Sequence, residues 1–279
     1  IESKKIDDAV NFLENWGLRV RLGKNVLKKY GPFAGDDKER LYDLQEMTNN
    51  RRIKAVFCSR GGYGLLRIID KVDFSPLKKN PKWYVGFSDI TVLHLWLNQV
   101  CGLVSVHGEM PVNYGNPKKR KETFESLHAH LFGNAESVTW KGNFLNARTV
   151  KGELTGGNLT LIMSLRGSPA EINTEGRILF IEEVGEYYYH LDRMVTSLKI
   201  SGRLAGLSAL VVGGLTRMKN KGVPWGKSAE DTIADAVREY GYPVLFGFPA
   251  GHIPDNRSLY IGREAMINFR DKFAELVYC

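Results

Sequence analysis

The chain has 279 residues, 43% of them hydrophobic and 25% charged, which excludes a disordered polymer and suits one large or two modest domains. Its formal charge of +8 bears on partners and solubility; the densest basic run, Lys118-Lys119-Arg120-Lys121, reads as a solvated helix start, and without an RNP-like motif or zinc-finger spacing beside it nucleic acid is not expected as a partner. No stretch approaches the roughly 18 apolar residues of a membrane span, Ile1-Glu2-Ser3-Lys4-Lys5 lacks an apolar signal core, and Cys58, Cys101 and Cys279 have no Cys-x-x-Cys spacing, so a soluble, cytoplasmic protein without disulfides or zinc-thiolate sites is expected.

The chain opens on Ile1 directly into a helical stripe, Ile6 to Trp16, so a first strand of the sheet is expected to be absent from it. Gly17 stops that helix before the alternating Leu18-Arg19-Val20-Arg21-Leu22, which predicts a strand. Asp36 to Met47 predicts a second helix capped by Asp36 or Asp37, and Ile53 to Cys58 a short strand ending at Arg60-Gly61-Gly62-Tyr63-Gly64. Leu65 to Ile69 follows as helix, Trp83 to Gly86 as strand and Thr91 to Gln99 as helix. This alternation is that of a parallel sheet covered on both faces, an α/β fold whose ligands gather at the carboxyl ends of the strands.

From about Phe132 the composition shifts towards Gly, Asn, Thr and Val, and a domain boundary is placed near residues 130–150. Beyond it the pattern predicts strands at Val138 to Trp140 and Thr149 to Leu154, a helix at Asn158 to Leu165 and a buried strand at Ile178 to Ile181. A helix around Leu191 to Ile200, a strand at Ala209 to Val212, an amphipathic helix at Ser228 to Tyr240 and a strand at Val244 to Phe248 complete the series.

The sharpest local feature is Trp83-Tyr84-Val85-Gly86-Phe87-Ser88-Asp89-Ile90-Thr91, a strand that turns through Gly-x-Ser-Asp into a helix. A serine there projects its hydroxyl at the strand end while the next backbone N–H points at an oxyanion. Ser88-Asp89 also fits a plain helix cap, and the second glycine of Gly-x-Ser-x-Gly is missing. A hydroxyl needs a base. Of six histidines, His94, His107, His128, His130 and His190 fit structural or solvated roles, whereas His252 follows a strand in a Pro-Ala-Gly-His-Ile-Pro loop. Glu182, with Glu183 as competitor, ends an apolar strand and suits the acid that orients an imidazole; the order Ser88, Glu182, His252 is nucleophile, acid, base. The Gly61-Gly62 turn can add an oxyanion donor to the N–H of Asp89 or, alternatively, cradle a phosphate, although the full Gly-x-Gly-x-x-Gly fingerprint is missing. Cys58 before the glycine turn offers a cysteine-nucleophile alternative, but it also suits a buried strand end.

Seven stretches in order resemble the LD-carboxypeptidases (muramoyl-tetrapeptide carboxypeptidases) and their microcin-immunity relatives. They are Phe33-Ala34-Gly35-Asp36-Asp37 with Arg40 and Asp43-Leu44; Arg60-Gly61-Gly62-Tyr63-Gly64; Gly86-Phe87-Ser88-Asp89-Ile90-Thr91; His107-Gly108; Gly156-Gly157-Asn158-Leu159; Ile181-Glu182-Glu183 with Asp192-Arg193-Met194; and Gly247-Phe248-Pro249-Ala250-Gly251-His252. The resemblance implies a Rossmann-like or flavodoxin-like parallel-sheet domain at 1–135, a linker at 136–150 and a β-rich α/β domain at 151–279. It further implies a Ser88-Glu182-His252 triad and an oxyanion hole from the N–H of Asp89 and of Gly61 or Gly62. A homodimer with no metal or organic cofactor, acting on murein peptide to release a terminal D-alanine, completes the expectation. Glu183 departs from the Asp usual there. The alternatives are a microcin-immunity-type hydrolase of aminoacyl-nucleotide analogues, for which the loop around Trp225 offers a stacking ring, and an inactive murein-peptide binding protein.

Overall fold

The computed structural model describes residues 1–135, 137–270 and 272–279. Helix α1 (Ser3–Glu14) turns Ile6, Ala9 and Leu13 inward, the three-and-four spacing of one helical face. Helix α2 (Asp37–Asn49) starts at Asp36 in a capping box: the Asp36 carboxylate accepts the Glu39 N–H at 2.8 Å, and the Glu39 carboxylate accepts the Asp36 N–H at 3.0 Å. At its other end the buried Lys82 ammonium donates to the carbonyls of Met47, Thr48 and Asn50 at 2.8–3.0 Å, satisfying acceptors the helix leaves open.

Strands β1 (Ala55–Phe57), β2 (Trp83–Gly86) and β3 (Ser105–His107) form a parallel sheet. Helix α3 (Thr91–Leu95), prolonged by a π-turn at Trp96–Val100, is buried on every side because it lies between this sheet and the next layer. Helix α4 (Lys121–Leu131) follows, then β4 (Val138–Lys141), β5 (Phe144–Leu145), β6 (Val150–Asn158), α5 (Leu159–Ser164), β7 (Ile178–Val184) and α6 (Tyr188–Ile200). The chain ends with β8 (Ala209–Thr216), α7 (Ala229–Val237), β9 (Val244–Leu245), β10 (Leu259–Ile261), β11 (Arg263–Arg270) and β12 (Phe273–Tyr278).

The second sheet has the order β4-β12-β11-β6-β7-β8-β9-β5. Its β6 to β9 section is parallel, and the rest is antiparallel. Strand β10 belongs instead to the first sheet, antiparallel to β3. Gly262 makes the crossing between sheets: its N–H donates to Leu154 O at 2.7 Å, its φ is +94°, and a Cβ there would lie 2.8 Å from the Asn98 amide. One apolar cluster therefore spans both halves of the chain, joining Phe87, Ile90 and Leu93 to Leu159, Ile162, Leu179, Ile181 and Leu191.

Three local expectations differ from the structure. Residues 18–22 form no strand; Leu18 and Val20 pack onto the α1 side of the core, so the alternation reports burial without a neighbouring strand to pair with. Leu65 to Ile69 is two 3₁₀ turns, Leu65–Arg67 and Ile69–Lys71, in place of a helix, because Gly64 at φ +127° and the Asp89 carboxylate hold its start in a turn. The strand at Val244 to Phe248 is regular only over Val244–Leu245, because Gly247 at φ +75° breaks it, although the Phe248 N–H still reaches Val212 O at 3.1 Å. The β11–β12 hairpin, with Ala265, Ile267, Ala274 and Leu276 buried at period two, was not anticipated.

Candidate active site

Strand β2 ends at Gly86, where a Cβ would lie 2.8 Å from Ile90, so only glycine lets the chain fold back on itself. Two residues later Ser88 adopts φ +66°, a left-handed conformation costly for a residue with a Cβ and met mainly where function requires it. A 3₁₀ turn at Ser88–Ile90 then leads into α3. The glycine turn after β1 packs directly on this serine, since a Cβ on Gly61 would lie 2.9 Å from Ser88 Cβ. That turn is tied down from both sides. Asp89 Oδ2 accepts the Leu65 N–H at 3.1 Å, and Arg40 Nη1 donates to Gly64 O at 2.7 Å. Burial pushes the Asp89 carboxyl up, opposed by the Leu65 N–H and by the Arg40 cation.

Strand β7 carries both acidic residues, and a register shift against β8 between Ile181 and Glu183 interrupts the regular alternation where they sit. Both are buried. Glu182 Oε2 accepts from His252 Nδ1 at 2.7 Å and from the His252 N–H at 3.3 Å, and Oε1 accepts from Asn158 Nδ2 at 3.2 Å. Glu183 is bound elsewhere: the Thr160 N–H and hydroxyl reach Oε2 at 2.9 and 2.8 Å, while Val184 N–H and Asn158 Nδ2 reach Oε1 at 2.8 and 3.1 Å. Burial pushes Glu183 up, with these hydrogen bonds opposing. Of the two neighbouring carboxylates, Glu182 is the one that lies against the imidazole.

The other imidazole nitrogen, His252 Nε2, lies 3.2 Å from Ser88 Oγ, and the Phe87 ring packs edge-on at a centroid distance of 5.0 Å. Gly251, at φ +105°, lets its loop settle on Glu182. Asn256 Oδ1 accepts the Gly251 N–H at 2.8 Å, and the Thr216 hydroxyl donates to His252 O at 3.2 Å. Thr91, three residues after Ser88, accepts the Asn158 N–H at 2.9 Å on its hydroxyl, and Asn158 in turn donates to both carboxylates. Thr91 and Asn158 stood in the motif stretches without a role; Thr216 and Asn256 carried no sequence signal.

Among the described residues no other histidine is hydrogen-bonded to Ser88 Oγ. His94 is buried between Ser105 Oγ and Gly86 O, both at 2.8 Å, and burial pushes it down to about 4. His107 is buried too; burial and the neighbouring His94 and His252 push it down to about 3, with the Asn256 side chain opposing. His130 Nδ1 donates to Ser126 O at 2.8 Å and His190 pairs with Glu186 at 2.8 Å, while His128 packs edge-on to Trp16. Loss of hydration, reinforced by the Asp89 charge, pushes the Cys58 thiol up to about 12, so it carries almost no thiolate at neutral pH. The Trp225 indole N–H donates to Thr232 Oγ1 at 3.0 Å, which fixes the ring against α7.

Comparison with known proteins follows the same order of elements. Residues 1–108 match the LD-carboxypeptidase N-terminal domain, and residues 151–267 match the LD-carboxypeptidase C-terminal domain. A Bacillus subtilis (strain 168) protein named probable murein peptide carboxypeptidase is 37% identical over 98% of this chain and 87% of its own length. The crystal structure of muramoyltetrapeptide carboxypeptidase from Oxalobacter formigenes superposes with a TM-score of 0.88 at 29% identity, covering 100% of this chain and 95% of that one. The microcin C7 self-immunity protein of Escherichia coli is 25% identical over 95% of this chain and 85% of its own length. Both family segments occur here in order, and they supply the Ser88 turn from the first and Glu182 and His252 from the second: the chain belongs to the LD-carboxypeptidase family.

Proposed function

We propose that this protein is a serine LD-carboxypeptidase that releases the terminal D-alanine of a murein tetrapeptide, with Ser88 as nucleophile, His252 as base and Glu182 as the group that orients the base. The reading is carried by one continuous line of contacts, Glu182 Oε2 to His252 Nδ1 at 2.7 Å and His252 Nε2 to Ser88 Oγ at 3.2 Å. Accepting from Nδ1–H leaves Nε2 free to take the serine proton, and the buried carboxylate stabilises the imidazolium that results.

Ser88 Oγ attacks the carbonyl carbon of the bond between the L-centre of the diamino acid and D-alanine, and its proton passes to His252 Nε2. The oxyanion is held by the N–H of Asp89 and by that of Gly61 or Gly62, each donor contributing roughly 3–4 kcal/mol to the transition state. The intermediate collapses, the C–N bond breaks, and His252 returns the proton to the departing amine. Water, deprotonated by the same imidazole, then cleaves the ester and restores Ser88. In this reading the nucleophile comes from a domain of residues 1–135 and the acid and base from 151–279, joined through 136–150. A homodimer working on recycled murein peptide in the cytoplasm belongs to the same proposal and rests on the family alone.

The test is D-alanine release from a purified murein tetrapeptide. Ser88→Ala should lose about a millionfold in turnover, and retention of even a few per cent of activity by that variant would remove the assignment. An aminoacyl-sulfamoyl nucleotide assayed in parallel separates the carboxypeptidase from the microcin-immunity reading, which wins if only that compound is hydrolysed. Tight tetrapeptide binding without product would leave a binding protein.

A further inference from the structure

The basic run at residues 118–121 does not lie wholly in solvent. Arg120 turns inward and pairs through Nη1 with Glu109, whose side chain is fully buried just beyond β3. Glu109 is itself held in place, Oε1 accepting the Met110 N–H at 3.0 Å and the Asn113 amide at 2.7 Å. The rest of the guanidinium crosses to a distant part of the chain. Nη2 donates to Ile253 O at 3.1 Å and Nε to Pro254 O at 3.0 Å, the two carbonyls that follow His252. Thr123, on the first turn of α4, reinforces the contact: its hydroxyl donates to Pro254 O at 3.3 Å and accepts the Asn256 N–H at 3.0 Å.

A planar fork with five donors can hold one carboxylate and two carbonyls at once, and an ammonium on a flexible stem has no such fixed geometry. Other parts of the His252 loop are anchored separately, by the Gly214 N–H on Ala250 O at 2.9 Å and the Arg257 N–H on Pro249 O at 2.8 Å. Thr216 holds the His252 carbonyl, and Asn256 holds the Gly251 N–H.

We propose that Arg120 is a positioning residue for catalysis: braced by Glu109, it fixes the carbonyls of Ile253 and Pro254 and thereby sets the distance between His252 and Ser88. This rests on the assignment of His252 as base. It gives the basic run a role that neither charge nor family resemblance supplies, and it ties the segment after β3 to the loop that carries the imidazole.

The experiment compares wild type with Arg120→Ala, Arg120→Lys and Glu109→Gln. Three readouts are taken: kcat and KM for tetrapeptide hydrolysis, the thermal midpoint, and the rate at which a fluorophosphonate labels Ser88. Displacement of a catalytic group by about 1 Å costs on the order of a hundredfold, so Arg120→Ala should lose tenfold to a hundredfold in kcat and in labelling rate with KM nearly unchanged. Guanidinium ion, added at concentrations that leave the thermal midpoint where it was, should restore part of both rates. Arg120→Lys, which keeps the charge, should remain impaired, and it decides the matter if the alanine variant fails to fold. Wild-type rates in Arg120→Lys, or a loss in Arg120→Ala that follows only the unfolded fraction and resists guanidinium, overturns the proposal. If wild-type Ser88 itself resists the fluorophosphonate, the fault lies with the proposed triad.

Discussion

Gly251 and Glu182 are in such close contact that a Cβ on the glycine would stand 2.8 Å from both Cβ and Oε2 of the glutamate. The glycine also sits at φ +105°, where a side chain is strained regardless of space. Gly251→Ala should therefore push the His252 loop off the carboxylate and lower kcat/KM by about a hundredfold. Steady-state kinetics on a tetrapeptide, with circular dichroism to show the fold intact, checks this; a fully active alanine variant would mean that the loop needs no such approach.

The adjacent carboxylates separate by their partners. Glu182→Gln replaces the carboxylate with an uncharged amide whose NH2 can impose the wrong imidazole tautomer, and should cost about ten-thousandfold in kcat. Glu183→Gln changes a group bound to Thr160, Val184 and Asn158. Its effect on kcat should stay within about tenfold, equivalent to about 1.4 kcal/mol. The reverse ranking would transfer the orienting role to Glu183.

Acid should destabilise the fold through its buried histidines. His94, His107 and His130 are held neutral, pushed from 6.5 to about 4, 3 and 4 by burial. Lowered values mean that the unfolded chain binds protons first, so stability is lost as pH falls below about 6.5, by up to about 1.4 kcal/mol per pH unit for each imidazole. Asp89 and Glu183 are raised and act in the opposite sense, their burial cost easing as pH drops through their folded values. Three imidazoles against two carboxylates predict a net decline between pH 6.5 and 5. Urea unfolding at pH 7, 6 and 5 measures it, and a stability that holds level or rises over that range contradicts the expectation.

Cys58 sits beside the glycine turn with its thiol raised to about 12. Cys58→Ala should leave turnover within about twofold and lower stability by about 1 kcal/mol, the scale of a small change at a packed site. Thiol alkylation that abolishes hydrolysis, together with an inactive alanine variant, would instead point to a cysteine nucleophile.

Much of this protein was legible along the chain because it is local. The cap of α2 was narrowed to Asp36 or Asp37, two adjacent residues, and the Gly86 to Thr91 turn states its geometry in six residues. The apolar runs at β7 and β8 announce buried parallel strands by composition alone. Periodicity failed where a pattern needed a partner, as at residues 18–22, which alternate but pair with no strand. Charge failed in a similar way at Arg120, where a run that looks solvated sends one member inward to a buried carboxylate.

The residue types of the site, an alcohol, an imidazole and two candidate acids at strand ends, were determined by the sequence. The residues favoured Glu182 with Glu183 as competitor, and the fold lays Glu182 against the imidazole at 2.7 Å. Ser88 and His252 are 164 residues apart and Glu182 and His252 are 70 apart, so their meeting depends on how the two sheets stack and on the crossing at Gly262. Hydrogen bonds at 3 Å between distant segments are set by packing across the whole core, and neither spacing nor composition encodes that packing locally.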